Sequence, residues 1–217
     1  MWRSIAYMFA GLLMAVSCTE NGFVPRNGDL VFRVAGMSGA GQAIVSATAW
    51  GDSVKYEHVG IIEVAGNEVN VIEATGRGGV VRTPFDVFLS DSPEIGGRPG
   101  VTVMRVRIAS VKGGAAMADS AVVNALGHLG EEYDWYYLHG NGRMYCSELV
   151  YESWLDSLGN HVFGCVPMNF RDVDGNMPEY WTELFGKLGR PVPEGEPGTN
   201  PNGMSKSSLL EQVHRYF

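Results

Sequence analysis

The chain has 217 residues, 45% hydrophobic and 18% charged, which suits one domain with a substantial core. Its 24 acidic residues outnumber 16 basic ones for a net charge of −8, and no run of Lys or Arg builds a basic patch, so nucleic acid is excluded as a partner. Three cysteines are too few for a disulfide framework.

Met1-Trp2-Arg3-Ser4, an apolar run from Ile5 to Val16 and then Ser17-Cys18 read as a secretory signal over residues 1–17, too short for a comfortable membrane span. Ala15-Val16-Ser17-Cys18 resembles a bacterial lipobox, with Ala15 where Leu is usual, and this makes Cys18 a lipid anchor. Ala15-x-Ser17 also fits ordinary signal-peptidase cleavage; the lipoprotein reading is preferred because Cys18 directly follows the small residue. Removing residues 1–17 takes away Arg3 and no acid, leaving 15 basic and 24 acidic residues and a net charge of −9. Residues 18–27 then form a tether and residues 28–217 a single domain. The expected location is the bacterial cell envelope, as a membrane-anchored lipoprotein, with a soluble periplasmic or secreted protein as the alternative.

Within the domain, Gly36 to Gly41 reads as a small-residue loop leading into a helical face of Ala43, Ile44, Ala47 and Trp50. Two β-rich runs follow, Lys55 to Val64 and Val69 to Ala74, with Ala65-Gly66-Asn67-Glu68 between them as a hairpin turn. Arg77 to Pro84 continues as a short strand and turn, Asp91 to Pro99 as an exposed loop, and Val101 to Val106 as a half-buried strand. Ala115, Ala118, Val122, Leu126 and Leu129 mark an amphipathic helix ended by Gly130. The loop His139 to Met144 precedes a helix over Ser147 to Leu158, and Pro178 to Leu188 is a further helix. Gly189 to Gly203 is a Pro-, Gly- and Asn-rich segment, and Ser207 to Tyr216 is expected as a terminal turn of helix. These elements make an antiparallel sheet with flanking helices, an α+β architecture.

Three residues carry the chemistry. Cys146, in Tyr145-Cys146-Ser147-Glu148-Leu149-Val150, falls where the loop gives way to the helix, and unpaired N–H groups at a helix N-terminus favour a thiolate. His58 lies on the first β-rich run and Glu73 on the second. A two-residue loop of Gly66-Asn67 sets Glu73 opposite Gly60 and diagonal to His58, whereas a loop of Ala65-Gly66 sets it directly opposite His58. Either register puts both side chains on one sheet face, and a three-residue loop separates them. A carboxylate beside an imidazole selects its tautomer and stabilises the imidazolium, as the third member of a catalytic triad does.

His-Val-Gly-Ile on a strand, Glu73 on the next and Tyr-Cys-Ser-Glu-Leu-Val opening a later helix resemble the circularly permuted papain-like hydrolases of the NlpC-like superfamily, the YiiX-like branch above all. Gly28-Asp29-Leu30-Val31-Phe32 is similar to the family's opening strand, and Tyr133-Asp134-Trp135 to the segment ahead of its cysteine loop. The resemblance spans roughly Gly28 to Trp181 and does not place the chain from Gly186 onward. It implies a permuted papain-like fold with Cys146 as nucleophile, His58 as base and Glu73 orienting the imidazole. The function expected is a thiol-dependent amidase or peptidase acting through an acyl-enzyme on a peptide, N-acyl amine or cell-wall-peptide substrate. An acyltransferase or esterase for lipid-like substrates and a catalytically silent ligand-binding module are the alternatives.

Neither cofactor nor metal is expected. His128, His139, His161 and His214 show no His-x-x-x-His spacing, and Gly36 to Gly41 lacks the Lys-Ser/Thr ending of a phosphate loop. His128 reads as a helix-end or surface residue and His139 as the reserve base, with no orienting carboxylate evident. Cys165 reads as a core residue, Glu148 as balancing the positive end of its own helix, and Trp135, Tyr136 and Tyr137 as cleft-lining or core aromatics.

Overall fold

The computed structural model describes residues 22–36, 39–108 and 111–217. The signal over residues 1–17, the anchor Cys18 and the first part of the tether lie outside the described residues.

Six strands form one antiparallel sheet: β1 (Leu30–Val34), β2 (Tyr56–Ala65), β3 (Glu68–Thr75), β4 (Gly79–Pro84), β7 (Val101–Val106) and β10 (Leu210–Arg215), in the order β10-β7-β1-β2-β3-β4. Two small pairs accompany it, β5 (Glu94–Ile95) with β6 (Arg98–Pro99), and β8 (Val166–Pro167) with β9 (Pro197–Gly198). The helices are α1 (Gly39–Thr48), α2 (Phe85–Ser90), α3 (Ala116–Gly127), α4 (Cys146–Ser153), α5 (Glu179–Leu188) and α6 (Pro201–Ser205). The architecture is therefore the expected α+β one.

Both faces of the sheet are covered, which explains why β2 and β7 are buried continuously rather than alternately. On one face Val59, Ile61, Ile72 and Ala74 pack with Ala121, Val122 and Ala125 of α3 and Leu149 and Val150 of α4. On the other, Val31, Ile62, Val71 and Val103 pack with Phe85 and Phe88 of α2. A third cluster lies off the sheet, where Tyr137, Tyr145, Met168, Phe170, Trp181 and Phe185 meet around Ala43 of α1. Each Val, Leu, Ile, Phe or Met among them contributes about 1.5–3 kcal/mol when fully buried.

The hairpin takes the first of the two expected registers. Ala65 pairs with Glu68, so the loop is Gly66-Asn67, and Gly66 has φ 62°. A positive φ at the first central residue is what a type II′ turn demands and glycine supplies. Ile61 pairs with Ile72, which carries Glu73 opposite Gly60.

Four expectations are corrected. Ser207 to Tyr216 contains the strand β10, not a helical turn: its backbone pairs with the otherwise open edge of β7. The helix after Cys146 stops at Ser153 rather than Leu158, because Trp154 turns extended (φ −88°, ψ 92°) and Leu155 bridges to His161, leaving Leu158 exposed. Trp50 lies beyond α1 and is half exposed, since the helix that buries Ala43 and Ala47 ends at Thr48. Val101 to Val106 is a buried strand rather than a half-buried one, flanked by β1 and β10 and covered on both faces.

Candidate active site

The site starts from the β2–β3 hairpin. A Cβ at Gly60 would stand 2.4 Å from Val71 Cγ1 and 3.3 Å from Glu73 Cβ, so glycine is what lets the strands carry Glu73 across to its diagonal neighbour. His58 Nε2 and Glu73 Oε2 are 2.6 Å apart. Thr83 Oγ1, on β4, donates to Glu73 Oε1 at 2.6 Å, so both carboxylate oxygens are held. With Nε2 committed to Glu73, the ring nitrogen left for other work is Nδ1.

The thiol comes from the other side. Cys146 is the first residue of α4, after an extended Tyr145 (φ −95°, ψ 166°), and the helix's first backbone bond runs from Leu149 N–H to the Tyr145 carbonyl. The N–H groups of the first turn therefore have no carbonyl of their own helix to meet. The Cys146 side chain adjoins the His58 imidazole and favours its charged form, and all three groups are buried. Burial pushes His58 toward its neutral form, but Cys146 and Glu73 outweigh burial and Arg33 together and raise the imidazole to about 9. Glu73 also works against burial, and His58 and Thr83 hold it below the usual carboxylate range.

An apolar cavity reaches the thiol. Its wall includes Ile44, Tyr133, Tyr137, Tyr145, Met168 and Trp181 alongside Cys146, with Thr48, Ser147, Thr199 and Asn200 as polar points. His58 and Glu73 are not part of this wall. Tyr137 is aimed there by a left-handed backbone (φ 54°), which the Asp134 carboxylate supports by accepting from Tyr136 N and Leu138 N. Of the three aromatics considered from sequence, Tyr137 joins the aromatic cluster and the cavity, while Trp135 and Tyr136 line a separate outer recess with Arg143.

The other candidates go elsewhere. His139 Nε2 meets Tyr145 Oη at 2.7 Å and its Nδ1 lies 3.9 Å from Glu152, so it has a carboxylate neighbour after all and engages Tyr145 rather than the thiol. Burial lowers its pKa. Glu148 is fully buried; its Oε2 accepts the Tyr145 amide at 3.3 Å. Burial, with Asp134 and Glu152 adding and the Tyr145 amide opposing, pushes its carboxyl up to about 8. It caps the helix start, as a first-turn acid can, but from inside the protein. Cys165 is half buried rather than core, and like Cys146 is a free thiol. His128 caps the end of α3 and pairs with Glu131 at 3.0 Å.

Sequence reasoning missed the part played by the C-terminal segment. Thr199 N donates to Tyr145 Oη at 3.1 Å, and Thr199 Oγ1 meets Ser147 Oγ at 3.0 Å. Asn202, fully buried, satisfies both backbone groups of Tyr56, two residues before His58: its Oδ1 accepts from Tyr56 N at 2.8 Å and its Nδ2 donates to Tyr56 O at 2.7 Å. The available signal was Asn200-Pro201, a helix N-cap followed by proline at the first helical position, and Asn200 does accept from Gly203 N at 2.7 Å.

A strand histidine bonded to a carboxylate on the next strand, against a cysteine that opens a helix, in the chain order His, Glu, Cys, defines a permuted papain-like site and fold. The family of permuted papain-like amidase enzymes, YaeF/YiiX, C92, matches residues 24–214, and the chain belongs to it. The match runs well past Trp181 and so places the segment that the sequence motifs did not. The uncharacterized protein YiiX of Escherichia coli strain K12 is 26% identical over 204 residues, covering 93% of this chain and 92% of that protein. A crystal structure described as that of metalloprotein yiiX from Escherichia coli O157:H7 shares the fold with a TM-score of 0.67 at 23% identity, over 88% of this chain and 97% of that one.

Proposed function

We propose that this hydrolase-family chain is a cysteine amidase whose nucleophile is Cys146. The observation that carries the reading is the buried relay Glu73–His58–Cys146, with 2.6 Å between carboxylate and imidazole and the thiol at a helix start. Glu73 keeps Nε2 protonated, so His58 takes the thiol proton through Nδ1 and a thiolate–imidazolium pair results. The thiolate attacks the amide carbonyl, and the Cys146 N–H, free of helix bonding, is placed to receive the oxyanion. As the tetrahedral intermediate collapses, the C–N bond breaks and the imidazolium proton leaves with the amine. Water, deprotonated by His58, then cleaves the thioester to release the acid and restore the thiol.

The cavity favours the substrate class. A wall of Ile44, Met168, Trp181 and three tyrosines suits an apolar acyl group or side chain better than the polar stem of a cell-wall peptide, so an N-acyl amine is the preferred substrate among the candidates. The same wall supports a second reading, an acyltransferase or esterase for lipid-like esters, which shares the acyl-enzyme and differs in the bond attacked. Location in the bacterial envelope rests on the signal-like residues 1–17 and on Cys18 as the lipid anchor; Cys18→Ser is expected to release the protein from the membrane fraction.

The test is an alkyne-tagged thiol electrophile at pH 7, followed by turnover of long-chain N-acyl amino acids, muropeptides and phospholipids. Cys146→Ala is expected to abolish both labelling and turnover. Equal labelling in that variant, through Cys165, overturns the nucleophile assignment, and muropeptide turnover alone overturns the apolar-acyl preference.

A further inference from the structure

Outside the relay, one cluster of donors is left electrostatically incomplete. His139, Glu148 and Glu152 bring one ligand atom each to within 4.8 Å of one another, with His139 Nδ1 3.9 Å from Glu152 Oε1. The two carboxylates stand four residues apart on α4, hence on one face of that helix, and the histidine comes from the loop before it. Glu148 supplies the independent observation: it is fully buried, Oε2 takes the Tyr145 amide, and Oε1 has no hydrogen-bond partner. Among the described residues no Lys or Arg pairs with Glu148 or Glu152, and the nearest basic side chain on that loop, Arg143, is bound to Glu132 at 3.0 Å. The buried carboxylate of Asp134 lies nearby, engaged by its own loop amides.

We propose that His139 Nδ1, Glu148 Oε1 and a Glu152 oxygen form a binding site for a divalent transition-metal ion of the zinc class. One imidazole and two carboxylates suit such an ion, with water completing its shell. Metal–donor bonds of about 2.0–2.2 Å put neighbouring donors roughly 3.0–3.6 Å apart, so the set closes with about an ångström of side-chain rotation. Glu152, partly exposed, has that freedom and gives the ion its way in. The tautomer is prepared: a proton on Nε2, directed to Tyr145 Oη at 2.7 Å, leaves the Nδ1 lone pair for the ion. Tyr145 in turn is fixed by the Thr199 amide. The bound ion ties the loop from His139 to Tyr145 onto the first turn of α4, two residues past Cys146. It positions the helix start and takes no part in the thiol chemistry. The related crystal structure is described as a metalloprotein without saying where its metal sits; the site proposed rests on the donors of this chain and not on the amidase reading.

The experiment is titration of the chelator-stripped full chain with ZnCl2 at pH 7.5 against a chromophoric competitor, with metal counted by mass spectrometry after gel filtration. One equivalent is expected to bind and to raise Tm by on the order of 5 °C at saturating zinc. Glu148→Gln, Glu152→Gln and His139→Ala are each expected to weaken binding by roughly 100-fold. Cys146→Ala is expected to bind as the parent does, and so is His128→Ala, the control for a surface His–Glu pair. No bound equivalent in the parent overturns the proposal. So does binding that survives Glu152→Gln, the partly exposed variant expected to fold normally should the buried Glu148→Gln not. So does loss of the ion in Cys146→Ala, which would put the metal on the thiol.

Discussion

Replacing Glu73 with Gln tests the electrostatic half of the relay at nearly constant shape. Glu73 accepts from His58 with one oxygen and from Thr83 with the other. An amide offers one acceptor and one donor group, so it cannot accept both protons; either the Thr83 hydroxyl reverses or the imidazole faces an NH2 and takes the opposite tautomer. A hydrogen bond to a charged partner exceeds a neutral one by about 1–2 kcal/mol, and each pKa unit is about 1.4 kcal/mol. Glu73→Gln should therefore bring the His58 imidazole down from about 9 to roughly 7.5–8, the rest of the elevation being due to Cys146. The assay is a pH titration of 13C-labelled histidine by NMR, with the His58 resonance assigned from its absence in His58→Gln; it needs no substrate. A parent imidazole titrating near 6.5, or a midpoint that moves by less than half a unit in Glu73→Gln, would refute the relay.

The remaining predictions can be checked with the same variants and standard denaturation. His58→Ala should remove amidase turnover and slow thiol labelling at pH 7 far more than His139→Ala, whose ring faces Tyr145 and Glu152; the reverse order would move the base role to the loop. His58 has a folded pKa raised above the unfolded 6.5, so its contribution to stability is fully present below about 6.5 and is lost as pH rises through about 9, on the order of 3 kcal/mol. Urea midpoints should fall across that window in the parent and less so in His58→Gln, and parallel curves would contradict the assignment. Asn202→Ala should cost about 2–4 kcal/mol in urea unfolding, because it strands both backbone groups of Tyr56 in a buried position; a loss below 0.5 kcal/mol would show that the C-terminal segment is not held there.

The site was legible from sequence to the extent that it depends on local rules. Period two along strands and two possible turn registers were enough to bring Glu73 to His58, and the structure selects the register through the positive φ of Gly66. The loop-to-helix change at Tyr145-Cys146 was equally readable, because Gly140 and Asn141 cannot prolong a helix and the residues after Cys146 can. What failed was decided by non-local pairing. Leu210 to Arg215 has no strong strand pattern of its own and becomes β10 because β7 presents an unpaired edge. Leu155 and Leu158 continue a helical spacing on paper, but the chain is pulled out of the helix at Trp154, whose N–H still bonds Val150 while its carbonyl takes Val162. The donor cluster was invisible for a similar reason: Glu148 and Glu152 show a helical spacing, yet the third member is supplied by a loop whose path depends on Asp134 and on Tyr145.

The order of the chain explains why its last thirty or so residues matter to a site built from its middle. In this arrangement the histidine and carboxylate strands come first and the cysteine helix later, so nothing in the hairpin or in α4 closes the far wall of the cleft. The returning C-terminal segment does this. Thr199 bonds Tyr145 and Ser147 on either side of Cys146, Asn202 bonds the backbone of Tyr56 just ahead of His58, and the same asparagine reaches Thr48 at the end of α1. One short stretch thus touches the strand that carries His58, the helix that carries Cys146 and the helix that lines the cavity. β10 then anchors it to the edge of the sheet. Contacts more than fifty residues from the cysteine therefore brace both the His58 strand and the Cys146 helix. Small changes in residues 199–202 should accordingly alter thiol reactivity without touching the relay itself.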